Sequence, residues 1–581
     1  MCKVKKMYPL WGFLLSFPLW TVSCVDNKYD LDKDIDMTVN VGGEHLTIPA
    51  GSSDTAYLSK IIEVEEGDIL QPDAATRVYH LTKKDDIDVK PTTVEEVTID
   101  ETTTNLSSIE IVNATSLTDE EVLAPVTTSG DFEAKSNNID EALKELGALH
   151  AKAPVDLILT IDFQKEQSLN FTRVQANKLK IVFPDYIVFK AEEGIQGHEL
   201  ILDGQVLSEN GKSYSRTLKV EGYEFGENTG FGKEPVNGTL TIDGKISMEG
   251  DVVTSGVSGS GTLSLVPTAV LGEMTINSVR GVIQPKIEAE ATKIELNDLP
   301  DFLKDEETRL DITNPVILLR ADNPLATPVE IDAVLTPLKN NTVVTGKSVE
   351  VGNGDIVLVP GANVIALSRT GESSVDGVTD NVKVEDINNL LEIIPDDIEV
   401  KLKPVVRKKD YYTAKLGWSY EMPSSYEVDV PLSFEQGLNI VYNDSVQDLN
   451  KDLKDLDKVS LKKANVLVTV DNAIPLKLQL KPENVLIKDV YGNELSAVKK
   501  TIEEDKQYVA ESTDGEKPAT SELVLSLTSD DTAFLSKIDR ICFKITAVPG
   551  SATGVPLKDT QWLKVTSIKL SVPGGVNVDL N

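Results

Sequence analysis

Four histidines, His45, His80, His150 and His198, are the first residues to weigh for chemistry in this 581-residue chain. None lies within metal-ligand spacing of another, and no cysteine stands near them, so a zinc site of the usual His/Cys kind is not expected. Cysteines number three: Cys2, Cys24 and Cys542. The glycines of the run SGVSGSGT, Gly256, Gly259 and Gly261, precede no helical pattern, so no helix N-terminus stands ready for a phosphate. The same run misses the G-x-S-x-G elbow, because Ser260 occupies its last position. Paired carboxylates could serve a glycosidase, but with 94 acidic residues the sequence singles out no pair. No catalytic residue and no cofactor is therefore assigned, and the chain is read as non-enzymatic.

One aromatic concentration remains, YYTAKLGWSYEMPSSY at 411–426. Aromatic faces bind sugar rings, so Tyr412, Trp418 and Tyr420 are candidate glycan contacts. Spacing favours another account. Tyr412, Ala414, Leu416, Trp418, Tyr420 and Met422 fall at every second position, which predicts a half-buried strand with Trp418 in the core.

The remaining chemistry is at the start. Lys3, Lys5 and Lys6 precede an apolar run, Leu10 to Val22, that ends in Thr21-Val22-Ser23-Cys24. A basic head, a short apolar stretch and small residues before a cleavage point read as a secretory signal. At about thirteen residues the run is shorter than the ~20 that a membrane-spanning helix needs. Thr21-Val22-Ser23-Cys24 resembles the lipobox of bacterial lipoproteins, with Thr and Ser at positions more often Leu and Gly or Ala. That resemblance implies a lipid on the Cys24 thiol as the first mature residue. Behind it, Asp30, Asp32, Asp34 and Asp36 recur at every second position. The acidic stretch resembles the surface-export signal of Bacteroidota outer-membrane lipoproteins, which implies an anchor in the outer membrane facing the exterior. An EF-hand loop also opens D-x-D-x-D, but Ile35 and Val41 occupy the places of its required Gly and Glu.

Three further tripeptides, Asp54-Thr55-Ala56, Asp444-Ser445-Val446 and Asp531-Thr532-Ala533, resemble the acceptor of Bacteroidota periplasmic O-glycosylation. The modified hydroxyls would be Thr55, Ser445 and Thr532. Ser445 is expected between a strand and a helix; the other two fall at expected helix starts.

Charge and length set the frame. The net charge is −37, and −40 once Lys3, Lys5 and Lys6 leave with the signal. Such a surface repels nucleic acid and anionic lipid headgroups, leaving the outer membrane, reached through the lipid anchor, and an unknown protein or glycan ligand as expected partners. After Cys24 takes its lipid, Cys542 stands alone, so stability must come from buried apolar area, here drawn from 40% hydrophobic residues.

The elements positioning these residues read as short alternating runs separated by Gly, Pro, Asn or Asp, such as VDLILTIDF, RTLKVEGYEF and GTLTIDGKISM. That pattern predicts an all-β chain of tandem antiparallel β-sandwich (Ig-like) modules with a few short helices. Helices are expected at 138–149, where Ile139, Ala142, Leu143, Leu146 and Leu149 make an apolar face, and at 387–394 and 449–457. The expected organisation is signal 1–23, acidic tether 24–36, an N-terminal β module 37–150, sandwich modules 151–300 and 301–395, and C-terminal module(s) 396–581. Two internal echoes support modularity. SSDTAYLSKI (52–61) returns as SDDTAFLSKI (529–538), each read as a capped helical turn, and Asp322-Asn323 returns as Asp471-Asn472 in a similar strand–turn–strand context.

Overall fold

A computed structural model describes residues 45–578, apart from 63, 66, 227–229, 231, 297–298, 301–302, 454–458 and 574–576. Cys24 and the four tether aspartates lie outside the described residues. The fold is all-β, as the alternating runs predict, with antiparallel sheets dominating and, among the described residues, helices confined to single turns.

Two sandwiches share one topology. In the terminal sandwich, one sheet runs His45–Gly51, Trp562–Pro573, Lys463–Asn472, Ala519–Thr528 and Lys499–Thr501 in spatial order. The facing sheet runs Ile440–Val446, Arg540–Val548, Lys477–Gln479 and Tyr508–Val509, with Val485–Lys488 also on Arg540–Val548. The central sandwich repeats this arrangement. Tyr79–Ile87, Ser424–Pro431, Val316–Asn323 and Gly361–Ser368 lie side by side in one sheet. Thr292–Glu295, Asp397–Val405, Val329–Lys339 and Val349–Leu358 make the other. Each sandwich thus takes a strand from the N-terminal part of the chain and pairs it with its own last strand; in the central one Leu70–Pro72 adds outside that strand.

Between Ile87 and Thr292 the chain leaves the central sandwich and builds a third unit with its own core. Its sheet contains three long strands, Ile109–Asn137, Leu143–Lys165 and Thr239–Leu271. The first and third form one continuous ribbon, from Ile109 opposite Leu265 to Asn137 opposite Thr239. Midway, between Thr254 and Gly261, the register slips repeatedly and the ribbon changes neighbours. The Gly/Ser run therefore serves as a set of β-bulges inside a strand.

Several expectations are corrected here. Residues 143–149 are strand, not helix. Opposite Met274–Ile283, Lys144 and Gly147 are extra residues: Leu143, Glu145, Leu146 and Ala148 face Ile283, Val282, Gly281 and Arg280 in turn. Bulges three residues apart impose a helix-like spacing on Leu143, Leu146 and Leu149, all buried. The helix expected at 387–394 shrinks to Asn389–Glu392, and that at 449–457 is helical over Asn450–Leu453. Leu58–Ile61 and Phe534–Lys537 do form single turns, but neither has a side-chain cap. The module cuts at 150/151, 300/301 and 395/396 run through a strand or a shared core, because sheet pairing crosses them.

The units stand in series. His45 pairs with Pro573 at one end of the terminal sandwich. The connection 549–561 lies at the opposite end and meets the central sandwich, where Gly554 donates to the Phe434 carbonyl (2.9 Å) and Leu557 to that of Leu432 (2.8 Å). Arg77 adds a guanidinium–carboxylate contact to buried Asp559. The far end of the central sandwich, marked by Ile87 and Ser424, leads into the long-strand unit through the segments 88–93, 284–291 and 406–423.

Candidate binding surface at the aromatic hairpin

Between the last two strands of the central sandwich, the chain detours along the flank of the long-strand unit. Tyr412–Lys415 adds to the edge of Met274–Ile283, placing Lys415 opposite Ser278 and Tyr412 opposite Gly281. Tyr412, Ala414 and Leu416 enter the core of that unit, and the Tyr412 hydroxyl donates to the Ile283 carbonyl at 2.9 Å. Up to this point the expected alternation holds.

It then breaks at Gly417. This residue sits at φ +66°, donates its N–H to the Val94 carbonyl, and turns the chain back so that Ser419 and Tyr420 pair with Thr93 and Thr92. Trp418, expected in the core, is instead 56% exposed. The turn inverts the side-chain parity that a straight strand would have kept. Lys415 Nζ lies 4.9 Å from the centre of the Trp418 ring, a cation–π distance. Tyr420 is half-buried, and its hydroxyl accepts from the Lys415 N–H (2.8 Å) and donates to the Lys415 carbonyl (3.2 Å). The three aromatics do not share a platform: Tyr412 is core, Tyr420 locks the turn, and Trp418 alone presents a ring to solvent. Beside them, Glu96 pairs with Lys152 at 2.9 Å.

On the other side of Tyr412 lies a feature the sequence did not single out. The Tyr411 hydroxyl donates to Glu145 Oε1 at 2.5 Å, and the same oxygen accepts the N–H groups of Gly230 (2.6 Å) and Gly232 (3.0 Å). Burial pushes the Glu145 carboxyl up, but the Tyr411 hydroxyl and the two N–H groups outweigh it and hold it below its ordinary range. Burial and that carboxylate together push the Tyr411 phenol up to about 12. The acceptor oxygen already takes three donors, so the pair fastens the detour to the long-strand unit. No motif marks it in sequence, since its partners lie about 85 and 266 positions from Glu145.

The other candidates are dispersed. Thr55 is half-buried ahead of the short strand Ala56–Tyr57. Ser445 lies inside Ile440–Val446, opposite Cys542, and not in a loop between strand and helix. Thr532 is half-buried in the crossover 529–539. Among the histidines, His80 Nδ1 meets Asp429 Oδ1 at 2.6 Å across paired strands. Among the described residues no group of three or more His, Cys, Asp or Glu could hold a metal, and no helix is long and apolar enough to cross a membrane.

No family model and no curated protein matches this chain. Among solved structures, one from Parabacteroides distasonis, described as a secreted protein, is similar over 52% of this chain and 83% of its own, at 16% identity and a TM-score of 0.37. A structure of Sulfolobus turreted icosahedral virus aligns over 81% of this chain and 91% of its own, at 7% identity and a TM-score of 0.11. Infectious bursal disease virus, Gx strain, gives 82% of each chain, 9% identity and a TM-score of 0.12. Similarity this low assigns no activity to the chain.

Proposed function

We propose that this protein is a lipid-anchored cell-surface stalk, held in the outer membrane through Cys24, with a structural, adhesive or protein-binding role and no catalytic activity. The observation that carries this reading is the serial order of the three units. The chain enters the described structure at His45, beside Pro573, and the central sandwich and long-strand unit follow away from that end. An anchor at Cys24 would therefore display the long-strand unit outermost. The strong negative charge suits an extracellular surface and disfavours nucleic acid. The test is metabolic labelling with an alkyne fatty acid, combined with protease added to intact cells. Labelling that Cys24→Ser abolishes, together with cleavage on intact cells, is expected. Membrane retention of Cys24→Ser would overturn the anchor, and full protease protection would overturn surface display.

A second reading, a glycan-binding accessory lipoprotein, gains support from the exposure of Trp418. An indole face open to solvent can stack on a sugar ring. Loss of polysaccharide binding in Trp418→Ala, with unchanged melting, is its expected signature; equal binding by both proteins would remove it.

A further inference from the structure

Both sandwiches are wired in the same order. A strand from the N-terminal part of the chain first crosses the sandwich from end to end, and the chain then moves on to the next unit. The triplet His45-Leu46-Thr47 returns as His80-Leu81-Thr82 at the start of the second crossing, and His45 lies opposite Pro573 as His80 lies opposite Pro431. The other strands of each sandwich come only afterwards, within 440–573 and 292–431, once the units further from His45 have been built.

The two crossings are straight. From His45 opposite Pro573 to Tyr57 opposite Trp562, the chain takes twelve steps against eleven on its partner, and the one surplus residue is the bulge between Pro49 and Gly51. Between Gly51 and Ala56 no slack loops out: the Ser53 N–H donates to the Val565 carbonyl at 2.8 Å, and the Ser53 hydroxyl accepts the Val565 N–H at 3.0 Å. Tyr79–Ile87 passes from His80 opposite Pro431 to Ile87 opposite Ser424 without a register shift. A strand rises ~3.3 Å per residue and a chain reaches at most ~3.6 Å, so both segments are already near full extension.

A pull between the two ends of the stalk therefore has a definite route. Entering at His45, it leaves the terminal sandwich at Tyr57, passes through 58–78 and climbs Tyr79–Ile87. On this route the backbone turns back once, where Leu70–Pro72 pairs with Tyr79–Leu81. Each crossing strand is drawn along its own axis at both ends, so its neighbours feel little shear. The C-terminus offers no such route. A pull on it climbs Trp562–Pro573 and meets the connection 549–561, which holds the central sandwich through the Gly554 and Leu557 N–H groups and the Arg77–Asp559 pair. Single bonds of this kind contribute about 1 kcal/mol net, and the covalent path from there doubles back through the whole terminal sandwich.

We propose that His45–Tyr57 and Tyr79–Ile87 are tension members, through which the stalk carries a pull from its distal unit to the outer membrane without unfolding either sandwich. The proposal rests on the Cys24 anchor, which loads the chain from its N-terminal side.

The test is single-molecule force spectroscopy on the chain from Val25 onward, carrying Cys542→Ser and a handle thiol from Asp88→Cys, an exposed position just beyond Ile87. The second handle is placed at the N-terminus in one protein and at the C-terminus in the other. With the N-terminal handle, lengthening of the folded part should stay below roughly 8 nm, the reach of 58–78 drawn straight. With the C-terminal handle, a first release of roughly 45 nm is expected at lower force, as 440–573 unravels. A release of that size from the N-terminal handle at equal force, or none from the C-terminal handle, would overturn the proposal. Failed fatty-acid labelling of Cys24 alongside the expected force curves would overturn only the anchor.

Discussion

Asn323 and Asn472 hold equivalent positions in the two sandwiches, 149 residues apart, with the same three hydrogen bonds. Each ends the strand that lies between its sandwich's last strand and one further neighbour, Gly361–Ser368 for Asn323 and Ala519–Thr528 for Asn472. The Asn323 amide donates to the Thr327 and Leu358 carbonyls and accepts the Leu325 N–H. Asn472 donates to Leu476 and Ala510 and accepts from Ile474. Both side chains are buried, so removal strands a backbone donor and two carbonyls. Asn323→Ala and Asn472→Ala should each cost about 2–4 kcal/mol, read from denaturant midpoints. Aspartate should not rescue either site, because it accepts the N–H but faces two carbonyls with no donor.

Much of this was legible in the sequence, but unevenly. Alternation gave the strands, and the Asp-Asn echo marked a true duplication. The longer echo, 52–61 against 529–538, joins two short turns that the duplication does not relate. Order in space stayed hidden, because His45–Gly51 and Tyr79–Ile87 pair with strands hundreds of positions later, and no local pattern encodes a partner. Trp418 and the 138–149 stretch depart from their sequence patterns for a common reason. One glycine turn or two bulges shift side-chain parity without changing composition. Glu145 was invisible because its partners converge only after folding.

His80 supplies a pH signature. Its hydrogen bond to Asp429 raises its pKa, burial opposes, and the charges of Asp429 and Asp73 add to the rise. A raised folded pKa means the added stability is fully present below the unfolded value, about 6.5, and is lost as pH rises through the folded pKa. The melting difference between wild type and His80→Gln should therefore be larger at pH 5.5 than at pH 8.5. An equal difference at both would mean that the imidazolium adds nothing.

Glu145 and Tyr411 predict the opposite limbs. Glu145 has a lowered folded pKa, so its contribution is present above about 4.3 and is lost as pH falls through the folded value. Tyr411, raised to about 12, favours its neutral form; that stability is present below about 10 and is lost between there and about 12. Tyr411→Phe should cost about 1–3 kcal/mol at pH 7 in urea unfolding, and less below pH 4.

Tyr412 and Trp418 should separate cleanly. Tyr412→Ala empties a buried site and loses the bond to Ile283, at about 3–5 kcal/mol. Trp418→Ala removes an exposed ring and should stay within about 0.5 kcal/mol. Calorimetry on the two variants checks both, and a large loss in Trp418→Ala would place its ring in packing that the hairpin geometry denies it.

The bent ribbon offers the sharpest stability test. Gly259 has φ +93°, and a β-carbon there would lie 2.0 Å from the Ser168 carbonyl oxygen, on the backbone of a neighbouring segment. Gly346, in an exposed turn of the central sandwich, has φ +72° and nothing within 4 Å of its would-be β-carbon. Both positions penalise an L side chain through the backbone, by about 1 kcal/mol. Only Gly259 adds a collision that no rotamer can relieve, since backbone must move away. Gly346→Ala should therefore lose about 1 kcal/mol, and Gly259→Ala about 3 kcal/mol or more. The loss at Gly259 should appear in the long-strand unit, which has its own core, and leave the melting of the two sandwiches in place. Equal losses at the two glycines would mean that the ribbon tolerates a side chain at its bulge and that backbone conformation alone selects glycine there.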